Sequence, residues 1–198
     1  MNKTIQIQVP EGKVAEWKVI NGVTTLVLTD EKDNRPVTER IKTFEDACKE
    51  VGRLAEGGNE VLANLLCDYE SNAGNILTKG TLAYMKLCII AAAINEGWEP
   101  KFTTDEYLYY PWFYLYTQEE IDNMEEEKKK SLWLFCGASD SGADFGLYCA
   151  TSYIAWSNSP ALFSALLAVK SKNLAEYFGK QFIDIWADYV AYTPLNTK

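Results

Sequence analysis

The sequence predicts an α+β fold: a single domain with an N-terminal β-hairpin, a central buried helix, and a long C-terminal amphipathic helix packed on an antiparallel sheet. Three observations lead to this prediction. Asn21-Gly22 lies between two β-rich runs, residues 79–95 are apolar nearly all round, and an apolar stripe at helical spacing follows Ser171. No internal repeat or low-complexity linker interrupts the 198 residues, so we assign residues 1–198 to one domain.

Residues 1–40 form the predicted N-terminal strand and hairpin region, and residues 41–198 the α+β core. Residues 4–9 alternate between apolar and polar side chains, which is typical of a half-buried strand. Asn-Gly readily adopts the positive φ angles of a type I′ turn, so it predicts a two-residue hairpin loop. Pairing Ile20 with Val23 then gives one apolar face, which contains Trp17, Val19, Leu26 and Leu28.

Three helices are predicted between the hairpin and the aromatic part of the chain. Thr43 with Asp46 three residues later is a capping box that opens the first helix, and Gly57-Gly58 ends it. Residues 59–69 form the second. Residues 79–95 carry apolar side chains on every face, which indicates a central buried helix.

The C-terminal half of the chain is predicted to contain the sheet and the last helix. Thr117 and Glu120 form a capping box for an acidic helix that runs to about residue 130. Residues 132–136 and 147–156 are strand-like and flank a loop at residues 137–146. Ser171 caps the long terminal helix, whose stripe contains Leu174, Tyr177, Phe178, Phe182, Ile185, Trp186 and Tyr189.

The charge of the chain limits the class of partner. A net charge of −9 and a pI near 4.7 argue against general nucleic-acid binding, because phosphate contacts depend on Lys and Arg. The dense lysine run at residues 128–130 follows three glutamates directly, so its charge largely cancels. The charge therefore argues against general nucleic-acid binding, and the aromatic segment described below leads us to expect a protein partner or self-association, with a small ligand as a further possibility.

The cysteines and the N-terminus predict a cytoplasmic protein. The spacing of the five cysteines matches neither a disulfide framework nor a zinc site, which indicates a reducing compartment. The opening residues MNKTIQIQVP contain no apolar core of a signal peptide. No uninterrupted apolar run reaches the roughly 18 residues of a membrane span, and we predict no cofactor and no metal.

The absence of histidine removes most catalytic arrangements. A chain with no His lacks the Ser-His-Asp and Cys-His nucleophile systems and His-ligated metal sites. Residues 137–141 depart from a nucleophile elbow, and residues 74–81 depart from a phosphate-binding loop. Carboxylate chemistry at Asp105 and Glu106 is the main enzymatic route left open, and we predict no catalytic residue.

The candidate binding residues lie in a dense aromatic segment, residues 107–116. If this segment is extended, Trp112, Tyr114 and Tyr116 share one face, while Phe113 and Leu115 share the other. One face then packs on the core, and the other presents flat rings, with Tyr109 as a further member of the segment. The alternative is that helices cover both faces. A polar loop adds Asp140 and Asp144, which either accept hydrogen bonds from a ligand or shape the turn.

Three stretches resemble an uncharacterised protein family of Bacteroidetes-type gut bacteria and their phages and prophages. They are IKTFEDAC (41–48), the NEGW and YYPWF motifs (95–98 and 109–113), and KSKNLAEYFGKQF (170–182). The similarity covers most of the chain after residue 41, although residues 132–169 are only loosely similar to it. The resemblance implies a phage-linked accessory or structural protein and carries over no catalytic residue.

Two functions from different classes follow from these observations. The first is a non-enzymatic phage-type accessory or structural protein that acts by protein–protein binding or assembly. The second is a small-ligand protein that holds a carbohydrate or nucleotide ring against Trp112, Tyr114 or Tyr116, with Asp140 or Asp144 accepting hydrogen bonds.

Overall fold

The computed structural model describes residues 6–30, 33–75, 78–130, 132–135, 145–156 and 164–190, and contacts divide the chain into two compact units, 1–36 and 37–198. Helices and antiparallel sheets in both halves of the chain confirm the α+β class. In chain order the elements are β1 (Lys13–Ile20), β2 (Val23–Asp30), α1 (Val37–Arg40), α2 (Phe44–Glu56), α3 (Glu60–Asn72), α4 (Lys79–Ile94), β3 (Tyr107–Thr117), α5 (Gln118–Asp122), α6 (Glu126–Lys129), β4 (Trp133–Phe135), β5 (Phe145–Trp156), the 3₁₀ turn Ala165–Leu167, α7 (Lys172–Gln181) and α8 (Ile183–Val190).

The first unit contains the predicted hairpin, in the predicted register. Asn21 and Gly22 have φ angles of 51° and 78°, and Ile20 pairs with Val23 across the turn. The strand predicted at residues 4–9 is wrong for the residues that are described, because 6–10 have no regular structure. Alternation makes a strand possible, but a strand also needs a partner for its backbone groups, and the ladder of β1 with β2 begins only at Lys13.

The second unit is built around α4, which is the predicted central buried helix. Leu87, Ile89, Ile90 and Ile94 of this helix are fully buried. Thr43 and Asp46 form the predicted capping box of α2, in which each side chain bonds the other residue's backbone N–H. The C-cap of α4 is Asn95, so the left-handed C′ residue is Glu96, with φ 54°, and Gly97 follows it with φ 78°.

The second sheet has the strand order β3–β5–β4 and is antiparallel throughout. Helix α7 packs on β3 and β5, which confirms the predicted packing of the C-terminal helix on an antiparallel sheet. The approach is close at Gly179: a Cβ atom there would lie 2.8 Å from Cβ of Pro111, and closer still to Sγ of Cys149. Only glycine lets the helix backbone come this near to the strands.

Two predicted helices are each broken into two shorter ones. The terminal helix is interrupted at Phe182, which has φ −116° and ψ 34°. Phe182 is only 3% exposed and its ring lies 6.3 Å from the rings of Tyr177 and Phe178, so core packing of this ring takes precedence over a continuous helix. The helix predicted from Thr117 to about residue 130 ends at Asn123, whose side-chain amide donates to the Glu119 carbonyl at 2.8 Å.

Candidate functional site

The aromatic segment forms strand β3, and three of its rings share one face. Side chains alternate along a strand, and β3 pairs Trp112 with Thr151, Tyr114 with Tyr148 and Tyr116 with Gly146 of β5. The register shift in this ladder follows Trp112, where Ala150 of β5 is passed over, so the alternation within β3 is kept. We refer to Trp112, Tyr114 and Tyr116 as the aromatic sheet face.

The rings of this face are accessible and interact with one another. Trp112 is 38% exposed and Tyr114 is 51% exposed. Trp112 stacks on Tyr153 with ring centroids 5.6 Å apart, and Tyr114 lies 6.3 Å from Tyr116. Nζ of Lys128 lies 5.1 Å from the Tyr116 ring centroid, within the range of a cation–π contact. Helices therefore do not cover both faces of β3.

The opposite face of β3 packs on the C-terminal helices for part of its length. The Phe113 ring is half-buried and lies 5.2 Å from the ring of Trp186 on α8. Leu115 shares this face by alternation but is 58% exposed, so the core cover expected there does not reach it. Tyr109 belongs to this face too, and its backbone exchanges two hydrogen bonds with Val169, at 3.1 and 2.9 Å. It is half-buried and is not part of the aromatic sheet face.

The candidate carboxylates fall into two groups. Asp140 and Asp144 lie outside the described residues. Glu106, one of the two carboxylates considered for acid–base chemistry, accepts hydrogen bonds from the backbone N–H groups of Lys101 and Phe102 at 2.7 and 3.2 Å. Its Oε2 thus satisfies two loop donors, which is a structural use of a carboxylate.

The cysteine and glutamate pKa values that are shifted lie further from 7 than the ordinary values of these groups. Burial raises the pKa of the thiols of Cys48, Cys88 and Cys149 to about 11, so these thiols are protonated at pH 7 and are poor nucleophiles. A hydrogen bond from Arg53 is the main cause that lowers the pKa of Glu50, and a hydrogen bond from Lys170 does the same for Glu96. Among the residues described, no resolved shift brings a group toward the pKa of a general acid or base near 7.

Buried charges join the helical part of the second unit. Glu50 is 7% exposed and its carboxylate lies 3.3 Å from Nη1 of Arg40, which is 11% exposed. Nη2 of Arg40 also lies 2.7 Å from Oε1 of Glu96, and Nζ of Lys170 lies 3.0 Å from Oε2 of Glu96. The network connects α1 and α2 to the end of α4 and to the segment before α7, so its role is to hold these elements together.

A cavity of about 490 Å³ lies between α3, the C-terminal part of α4, residues 97–102 and the 3₁₀ turn. Its lining is mainly apolar, and three exposed residues stand around it: Val61 (63%), Phe102 (58%) and Leu166 (52%). We refer to it as the α3–α4 cavity. Sequence reasoning missed it, because its walls come from segments far apart in the chain. The exposed Phe102, with a φ of 54° that is rare for a residue with a side chain, is the structural feature that marks it.

The described residues contain no group of three or more Cys, Asp or Glu placed to hold a metal ion. In the same part of the chain, every helix is too short or too polar to span a bilayer. Comparison of the chain with protein-family models, with curated proteins and with solved structures gives no significant match. The function is therefore argued from the surfaces described above.

Proposed function

We propose that this chain is a non-enzymatic protein of phage type that acts by protein–protein binding or assembly, and that the aromatic sheet face is its contact surface. The observation that carries the proposal is the adjacent exposure of Trp112 and Tyr114, 38% and 51%, on one face of a sheet whose other side is held by helices. Trp and Tyr are the residues that contribute most to protein interfaces when they are desolvated.

The rigidity of this surface supports the same proposal. Trp112 stacks on Tyr153, and Tyr114 contacts Tyr116, so the rings are held by neighbours before any partner arrives. Aromatic side chains have only two χ angles, and a preorganised ring loses little entropy on binding. Lys128 beside Tyr116 adds a charged group at the rim, where it contributes more to the choice of partner than to affinity.

The hairpin of the first unit supports assembly independently. Trp17 and Val19, on the predicted apolar face, are 69% and 72% exposed, and Leu28 is 42% exposed. A two-stranded hairpin is marginally stable by itself and gains stability when its apolar face is covered. Within the described residues, the sheet of β1 and β2 has two strands, and another chain that adds to a sheet of this size would stabilise it.

Two further observations support the phage type and the place of action. The IKTFEDAC, YYPWF and KSKNLAEYFGKQF motifs resemble the phage-linked family. Four cysteines, Cys48, Cys67, Cys88 and Cys149, are free thiols, which favours a reducing compartment. We place the protein in the host cytoplasm, from which it is available for incorporation in a virion.

Changing Trp112 and Tyr114 together to Ala is expected to weaken self-association by at least about 30-fold, because truncating an interface hot spot costs about 2 kcal/mol or more. Size-exclusion chromatography with light scattering, over a concentration series, measures this. Leu115→Thr is the matched control: it removes an exposed apolar side chain from the same strand on the opposite face. A monomer at about 100 µM, where micromolar dimers are formed, would reject self-assembly through this face.

Trp17→Thr with Val19→Thr tests the hairpin separately. Thr keeps the β-propensity of the strand, so we expect the hairpin to remain and any assembly that depends on its apolar face to be lost. Light scattering reports the assembly. Glu16→Thr with Lys18→Thr, which changes two exposed residues of the same strand on the opposite face of the hairpin, is the control. An unchanged oligomer would show that the hairpin contributes no contact.

One observation favours the small-ligand alternative. A shallow depression of about 420 Å³ adjoins the Tyr116 ring and is lined by Glu119, Glu120, Asn123 and Lys128 among others. A sugar ring placed against Tyr116 would find carboxylate and amide partners there. Saturation-transfer NMR with monosaccharides and nucleosides tests this, and Tyr116→Leu should abolish the signal. Transfer that persists in Tyr116→Leu would count against the depression as the site.

A further inference from the structure

The α3–α4 cavity has the size and the wall chemistry of a small-molecule site. Its volume of about 490 Å³ lies within the roughly 300–1,000 Å³ typical of ligand pockets. Leu62, Leu65 and Ala92 give it an apolar wall. Cys88 adds its thiol, which is protonated because burial raises its pKa to about 11. An apolar body of the ligand would be desolvated by these walls.

The polar groups of the cavity carry negative charge or none. Its lining contains the carboxylates of Asp68 and Glu99 and the amides of Asn64 and Asn95, and none of the described residues that line it is Lys or Arg. Asn95 is already used, since its side chain donates to the Ala168 carbonyl at 2.8 Å and accepts from the Lys170 N–H at 3.0 Å. That leaves Asp68, Glu99 and Asn64 for a ligand.

Helix α3 presents two of these groups together. Asn64 and Asp68 are four residues apart and so lie on one face of the helix, and neither side chain has a hydrogen bond or ion pair to the rest of the described chain. Glu99, on the segment 97–102, accepts a long hydrogen bond, 3.4 Å, from the side-chain amide of Asn59, the N-cap of α3. Trp98 and Phe102 add aromatic rings, which attract cations through their faces.

We propose that the α3–α4 cavity binds a small molecule that combines an apolar, ring-containing body with a cationic amine. The body fills the apolar wall, and the amine lies at the mouth among Asp68, Glu99 and the aromatic rings. The net charge of −9 adds a long-range attraction for cations. The inference is independent of the proposed function, because no residue of the cavity belongs to the aromatic sheet face or to the hairpin.

The test compares three probes on the full chain by titration calorimetry at pH 7. The probe 2-(1-naphthyl)ethylamine has the ring and the amine, 3-(1-naphthyl)propionate has the ring with the opposite charge, and propylamine has the charge without a ring. We expect the naphthyl amine to bind at least about tenfold more tightly than either of the others, because both the apolar contact and the charge attraction are needed. Equal affinity for the two naphthyl probes, or no binding of the amine at millimolar concentration, would overturn the proposal.

Substitutions at exposed positions test whether the amine binds in the α3–α4 cavity, because they leave the buried core unchanged. Asp68→Asn with Glu99→Gln should reduce the preference for the amine over the acid by at least about tenfold, and Val61→Trp should weaken the amine by a similar factor by filling the mouth of the cavity. Glu70→Gln, on the same helix but outside the cavity, is the matched control and should change neither. An amine affinity that survives Val61→Trp, or that falls equally in Glu70→Gln, would show that the amine binds elsewhere.

Discussion

Replacing Phe178 by Ala is expected to lower the free energy of unfolding of the second unit by about 3–5 kcal/mol. Phe178 is 0% exposed. Its ring centroid lies 4.9 Å from that of Trp186 and 6.3 Å from that of Phe182, both at edge-on angles. The substitution removes the ring that joins α7 to α8, and the rigid aromatic neighbours cannot collapse into the space.

Urea denaturation followed by the helical circular dichroism signal measures this loss. Phe102→Ala is the matched control, because it makes the same chemical change at a residue that is 58% exposed. Surface substitutions usually stay within about 0.5 kcal/mol, so the control should unfold close to the unsubstituted protein. Similar midpoints for the two variants would mean that Phe178 does not hold the core.

The parts of the fold that depend on neighbouring residues were predicted well from the sequence. Asn21-Gly22 sets its own turn and thereby the register of the hairpin. Thr43, Thr117 and Ser171 each begin a helix as predicted, since a cap is a bond between a side chain and a backbone group two or three residues away. Interactions between residues this close in the chain can be predicted from a few consecutive residues of the sequence.

The predictions that were wrong concern features set by packing between residues far apart in the chain. An amphipathic stripe continues through Phe182, but the position of its ring among Tyr177 and Phe178 breaks the helix there. The apolar face of the hairpin was predicted correctly as a face, yet Trp17 and Val19 are exposed. A pattern shows which side chains lie together, whereas burial depends on what the rest of the chain places over them.

The candidate site follows the same division. Alternation along residues 112–116 predicted that Trp112, Tyr114 and Tyr116 share a face, and the ladder with β5 confirms it. The half-buried place of Tyr109 follows from its pairing with Val169, far along the chain. The α3–α4 cavity combines residues from 61 to 168, and no local pattern relates them.

Replacing Glu50 by Gln is expected to cost about 3 kcal/mol of stability at pH 7, the lower end for breaking a buried ion pair. The substitution keeps the size of the side chain but removes the charge that faces Arg40. Arg40, 11% exposed, then remains largely out of water and keeps its ion pair with Glu96, but it loses the buried carboxylate of Glu50. Arg53→Gln is the control. Arg53 is the other partner of Glu50, and its side chain is 48% exposed. Exposed ion pairs contribute at most about 1 kcal/mol, so this variant should lose no more than that.

The cost of Glu50→Gln should also depend on pH. Hydrogen bonding to Arg53 and the charges of Arg53 and Arg40 lower the pKa of Glu50 in the folded protein, below the value of about 4.3 for an unfolded chain. Such a group stabilises the fold fully above its unfolded pKa, and the stabilisation is lost as the pH falls through the folded pKa. A protonated Glu50 resembles the Gln that replaces it, so the two urea midpoints should converge as the pH is lowered from 7 toward about 3. Glu96 titrates in both proteins; a hydrogen bond from Lys170 lowers its pKa and the charge of Glu50 raises it, so Glu96 keeps its charge to a lower pH in the variant. If the gap between the midpoints stays constant over this range, the loss comes from the packing of the amide and not from the charge that holds Arg40.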